Sequence, residues 1–197
     1  MHLVFDIFQG IGIAAAVGIR PFLPAVATGG LAAADAEIHF NGTDYSFLQS
    51  APFLLACALA AVALALLERR RSAAPGSERG PLEWVLVAAA IAFGALFFAG
   101  SLARGGYTAW PGYVGGVICA VVALLATRPL WARVRSRLDA STVQTLPLFV
   151  EGAAVLVAVL SVVAPPVGPI ALALLVWLLL AGRRREGQKY AGLRILR

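Results

Sequence analysis

A chain of 197 residues that is 60% hydrophobic and only 13% charged lies far from the roughly 45–50% apolar, about 25% charged make-up of a soluble domain, which excludes that class. The formal charge is +6, but the basic residues flank apolar runs, which sets nucleic acid aside and points to orientation in a bilayer and contact with anionic lipid headgroups. Cys57 and Cys119 each stand alone inside an apolar run, so neither a disulfide framework nor a Cys/His metal site is implied.

Six apolar segments follow in chain order, each near the roughly 20 residues needed to span a bilayer. The first, Leu3–Ala33, is longer than one straight crossing needs and carries Arg20, with Pro21 and Pro24 behind it. It has no basic n-region and is too long for a signal-peptide core, so it reads as a mature helix, long and Pro-interrupted. The others are Ala51–Leu67, Leu82–Leu102, Gly112–Ala126 (continuing through Thr127 and Pro129), Leu146–Ala164 and Pro166–Gly182.

The charges between the segments alternate. The loop after the first holds Asp35, Glu37 and Asp44 and no Lys or Arg. The next holds Arg69, Arg70, Arg71 and Arg79; then Arg104 alone flanks Gly105–Pro111. Arg128, Arg133, Arg135 and Arg137 follow, the fifth-to-sixth turn has none, and Arg183, Arg184, Arg185, Lys189, Arg194 and Arg197 end the chain. Fourteen of the 16 basic residues thus fall on one side. The positive-inside rule predicts an all-α integral membrane protein with six transmembrane helices and both termini cytoplasmic. One six-helix domain is expected over 1–183, with 184–197 a basic cytoplasmic tail. The Arg- and Ala-rich composition suggests a GC-rich bacterial genome, and so the cytoplasmic membrane.

Leu130, Val134 and Leu138 recur every four residues with Arg133 and Arg137 on another face. This predicts a helix end at the interface anchored by Trp131. Two echoes also occur. "FQGIGIAAAVGIRPFLP" overlays "VEGAAVLVAVLSVVAPP", and "APFLLACALAAVALALLERRR" resembles "APPVGPIALALLVWLLLAGRRR". They suggest first and last hairpins related in parallel.

Gly10, Ala14 and Gly18 form a small-residue ladder spaced by four, repeated by Gly112, Gly116 and Ala120. Such ladders let helix backbones approach closely, inside one bundle or against a second copy or a partner membrane subunit.

Polar residues in the spans are few: Asp6, Gln9, Arg20, Thr28 and Glu151. Ionisable groups there are costly and face the bundle interior or water. The topology places Asp6, Gln9 and Glu151 together in the cytoplasmic third, where two carboxylates could share a proton or hold a cation. Arg20 lies roughly 21 Å from Asp6 along a regular helix, and so is expected to reach neither carboxylate. Its candidate partners are instead carbonyls freed by Pro21 and Pro24, the acidic loop (Asp35, Glu37, Asp44) or a bound anion, with the alternative that it lines a polar cavity at a broken helix.

No catalytic triad, metal-ligand spacing or phosphate-binding glycine loop occurs. Neither an enzyme nor a cofactor is indicated.

At "GIGIAAAVGIRPFLPAVATGGLAA", with Gly18, Ile19, Arg20, Phe22 and Pro24 in register, the chain resembles a bacterial family of small multi-pass membrane proteins known only as a domain of unknown function. "LPLFVEGAAVLVAVLSVVAPP" resembles that family's later helix, with an acidic residue at the place of Glu151. "ERRRSAAPGSERGP" departs from the family's usual less basic loop. In layout alone the chain is also similar to the substrate-binding subunits of energy-coupling-factor vitamin transporters. The functional expectation is transport-type, a small solute or ion bound or passed near Arg20, Gln9 and Glu151. The alternative is a non-catalytic subunit that docks a partner through its small-residue faces.

Overall fold

A computed structural model describes residues 2–72, 81–135 and 145–191. Among these the protein is all-helical: α1 (His2–Ile19), α2 (Phe22–Ala33), a short 3-10 turn (Ser46–Gln49), α3 (Ala51–Ser72), α4 (Pro81–Arg104), α5 (Trp110–Arg135), α6 (Leu146–Val163) and α7 (Val167–Ala191). Three helical stretches, Leu82–Arg104, Trp110–Trp131 and Leu146–Val163, are long and apolar enough to cross a membrane. Leu3–Ile19, Phe22–Ala33, Ala51–Leu67 and Val167–Gly182 are apolar but shorter.

The first apolar segment is not one long interrupted helix. Arg104, at the end of α4, donates to the Asp6 carboxylate and, 2.7 Å away, to the Glu37 carbonyl. Asp6 near the start of α1 and Glu37 just beyond α2 therefore meet at one end of the bundle: α1 leaves that end and α2 returns to it. The local chemistry explains the reversal. Arg20 N–H still bonds Ala16 O at 3.2 Å, but Pro21 has no N–H to continue the ladder and disfavours helical backbone at Arg20. Pro21 then caps α2 with φ −75°. Pro24 falls in the first turn of α2, where N–H groups have no intrahelical acceptor anyway. The prolines start a second helix; they do not damage a single one.

The remaining helices alternate in direction. Gln9 bonds near the end of α6 and Arg20 pairs near its start, so α6 runs antiparallel to α1. The Cα region of Gly168 at the start of α7 lies against Phe8 and Gly12, so α7 runs beside α1 in the same direction. The start of α1 and the end of α7 consequently lie at opposite ends of the bundle. This corrects the expectation that both termini share one side. The N-terminal residues carry no Lys or Arg, so nothing in the charge pattern oriented α1. The echoes are corrected as well: "FQGIG…" and "VEGAA…" run in opposite directions, whereas the second pair runs in the same one. No single duplication relates both. Helix α7 continues through Ala191, covering part of the expected tail; 136–138 of the expected interfacial helix and 192–197 lie outside the described residues.

Helix α1 is the axis, packed by α4, α5, α6 and α7, and residues 12–18 are all buried. Small side chains make this crowding feasible. Gly10 lies under the Phe98 ring, and Gly18 faces the Ala120 backbone and the Ala123 methyl. Gly116 lies on the backbone of Gly94 and Ala95, and Gly112 on that of Ala99. Between α2, α3 and α4, Phe53 sits edge-on to Phe93 at 5.7 Å, and Phe93 to Phe22 at 6.1 Å. The loop between α2 and α3 joins this core through Phe40, 6.2 Å from Phe97. It is tied to α5 by a 2.6 Å hydrogen bond between the Tyr45 and Tyr113 hydroxyls.

Candidate functional site

Helix length creates the site. At about 1.5 Å per residue, the 18 residues of α1 rise roughly 27 Å, against about 36 Å for the 24 of α4 and 39 Å for the 26 of α5. The helices are aligned at the Asp6–Arg104 end. The central helix therefore stops short at the other, Arg-rich end, and its turn into α2 forms the floor of a cleft. The resulting cavity has a volume of about 790 Å³ and is walled by the start of α4, the later part of α5 and the start of α6.

Arg20 and Pro21 form its floor; Glu83, Trp84, Arg128 and Trp131 are among its walls, and the rest is mainly apolar, including Ile19, Leu86, Val87 and Leu124. Arg20 Nε lies 3.8 Å from Glu151 Oε1, with side chains 13% and 16% exposed. Nearer water, Arg128 and Glu83 approach to 3.1 Å at 45% and 38% exposure. The Thr127 hydroxyl is committed to its own helix, donating to Ala123 O at 2.7 Å.

The structure separates the residues singled out by sequence into two ends. Arg20 and Glu151 come together, against the expectation that Arg20 could reach neither carboxylate. The geometry behind that expectation assumed α1 running the other way. Asp6 and Glu151 do not meet, so a shared proton or cation between them is ruled out in this fold. Asp6 is 2% exposed and held by Arg104 at the far end. Gln9 is buried near that end and donates through Nε2 to Val162 O at 3.0 Å. Thr28 is fully buried in α2. Gln9 Oε1 and Thr28 Oγ1 have no hydrogen-bond partner among the described residues. Neither Gln9, Thr28, Asp6 nor Glu151 lines the cavity itself. Gly10, Ala14, Gly18, Gly112 and Gly116 are all buried. Among the described residues, no group of three His, Cys, Asp or Glu is placed to hold a metal ion.

Sequence reasoning missed Glu83, Arg128 and Trp84 as wall residues and Arg104 as the partner of Asp6. Arg128 was legible only as a topology charge. Arg104 carried a usable signal, being a lone basic residue on the acidic side of the chain.

Among the described residues, the fold and site define an all-helical protein with three helices long and apolar enough to cross a membrane, around a charged cleft. The chain belongs to the family described as a domain of unknown function (DUF4126), which matches residues 7–185. No curated protein and no solved structure matches it.

Proposed function

We propose that the protein is a multi-pass protein of a bacterial cytoplasmic membrane that binds a small solute or ion in the Arg20-floored cavity, as a step of transport. The observation carrying this reading is the cavity, in the volume range of about 300–1,000 Å³ usual for small-molecule sites. It has one well-buried guanidinium on its floor and a second ion pair at its side. The excess of Arg at this end supports a cytoplasmic orientation for it. On that orientation α3 to α7 cross the bilayer, and α1–α2 is a re-entrant hairpin entering from outside. Non-regular backbone at membrane depth is tolerated where protein or a water-filled cavity surrounds it, which fits the Arg20–Pro21 turn.

The alternative, a subunit docking a partner through its glycine faces, gains no support from Gly10, Gly18, Gly112 and Gly116, which neighbouring helices of the same chain cover.

The test is a thermal-shift screen of purified protein against charged and neutral solutes, repeated with Arg20→Leu, followed by uptake in proteoliposomes for any hit. Solute-dependent stabilisation lost in the folded Arg20→Leu variant is the expected result. Unchanged stabilisation, or no stabilising solute at all, overturns the reading.

A further inference from the structure

The geometry points to a lipid-like ligand: a single-chain amphiphile with a carboxylate or phosphate-monoester head, taken from the cytoplasmic leaflet. This rests on the reading of the cavity as a binding site and specifies its occupant.

Three observations carry it. First, the cleft has a side open to the bilayer. Helix α6 packs on α1, α2 and α7 and scarcely touches α4 or α5, although α4, α5 and α6 all wall the cavity. The flanking helices present large apolar side chains outward. Trp84 on α4 is 74% exposed, and Leu148 and Phe149 on α6 are 74% and 71% exposed. In a bilayer such residues face lipid, so apolar surface runs from outside the protein to the cavity rim. A polar solute would have to cross that rim, whereas an acyl chain would not.

Second, the polar groups lie at the end of the cleft nearest the cytoplasmic headgroup layer. The cavity is at the Arg-rich end, and Trp84 and Trp131 on its walls are the amphipathic rings that favour the interface. Third, the charge on the floor is positive. Arg20 lines the cavity whereas Glu151, its ion-pair partner, does not. A guanidinium carries five N–H donors, so an oxyanion at the cavity floor can share Arg20 with Glu151 through charge-assisted bonds whose fork geometry suits carboxylate and phosphate. The tail is left to Leu86, Val87 and Leu124.

The experiment uses the full chain in phosphatidylcholine nanodiscs and reads quenching of tryptophan fluorescence. The probes are dibromostearate, its neutral methyl ester and inorganic phosphate, the last also read by thermal shift. Dibromostearate is expected to quench saturably beyond the ester. Arg20→Gln should weaken that component at least tenfold, and Arg20→Lys should retain most of it. Glu151→Gln, which removes a competitor for the guanidinium, should tighten it; this keeps the test open if Arg20→Gln does not fold. Equal quenching by acid and ester overturns the inference, as does weaker binding in Glu151→Gln. Stabilisation by inorganic phosphate through Arg20, without acid-specific quenching, overturns it while leaving a solute site standing. Binding of none of the three probes removes both.

Discussion

Arg20 and Asp6 each meet an opposite charge, at opposite ends of one helix. Both pairs are largely screened from water: the Asp6 carboxylate is 3% exposed beside Arg104, and Arg20 and Glu151 are 13% and 16% exposed. Removing one member of such a pair leaves the other desolvated, at about 3–5 kcal/mol when burial is complete. Asp6→Asn should therefore lower stability by about 2–4 kcal/mol in a reversible denaturation assay. Arg20→Gln and Glu151→Gln, whose partners border a cleft, should cost less, about 1–2 kcal/mol each. The double variant should lose less than their sum, because the contacting pair is coupled. Additive losses would mean that the pair contributes nothing. Tyr45 offers a pH signature outside the spans. Burial, and then the hydrogen bond with Tyr113, push its phenol above the ordinary value. Its folded form thus holds a proton that the unfolded chain releases near pH 10. The contribution to stability is complete below about pH 10 and lost as pH rises beyond it. In an absorbance titration of tyrosinate, one of the four tyrosines should lag, and Tyr45→Phe should abolish the lag.

Among the elements, the α4–α5 crossing depends on Gly94 and Gly116, which bring two backbones together. A Cβ on Gly116 would collide with Gly94 and Ala95, and no flexible side chain is there to yield. Gly116→Val should destabilise by about 1–3 kcal/mol through over-packing. Gly152 in α6 has open space where a Cβ would go, so Gly152→Ala should be neutral or stabilise by up to about 1 kcal/mol. Comparison of the two melting temperatures separates a packing glycine from an incidental one. The apolar runs made each of these helices legible in sequence, and the small-residue spacing marked the faces that approach closely. The reversal at Arg20 was not legible. A 31-residue apolar stretch with two prolines has the same pattern whether it kinks or folds back. What distinguishes the two is Arg104, distant in sequence, holding both Asp6 and Glu37. Arg20 was legible as an outlier, but its neighbour Glu151 was hidden because the direction of α1 was read backwards.

For the whole molecule, the reversal makes a topological prediction. In a background lacking Cys57 and Cys119, Leu3→Cys and Asn41→Cys should label from the same side with an impermeant maleimide applied to intact cells. Thr145→Cys should label only after permeabilisation. Labelling of Leu3→Cys and Asn41→Cys from opposite sides would restore a single crossing by the first segment. Charges on α3 to α7 announced their directions because each Arg-rich end is tied to a helix end. The residues before Asp6 include no Lys or Arg, so the same rule was silent for α1.

The central position of α1 also bears on how the protein is made. Helix α1 is synthesised before α4, α5, α6 and α7, which later enclose it. Asp6 waits 98 residues for Arg104, and Gln9 waits 153 residues for the carbonyl of Val162. Until then the nascent chain holds a carboxylate and an amide without their final partners, at a cost in apolar surroundings. A chain halted after α5 would have its ion pair but leave one flank of its axis bare. Only the α6–α7 hairpin, packing on α1, covers that flank.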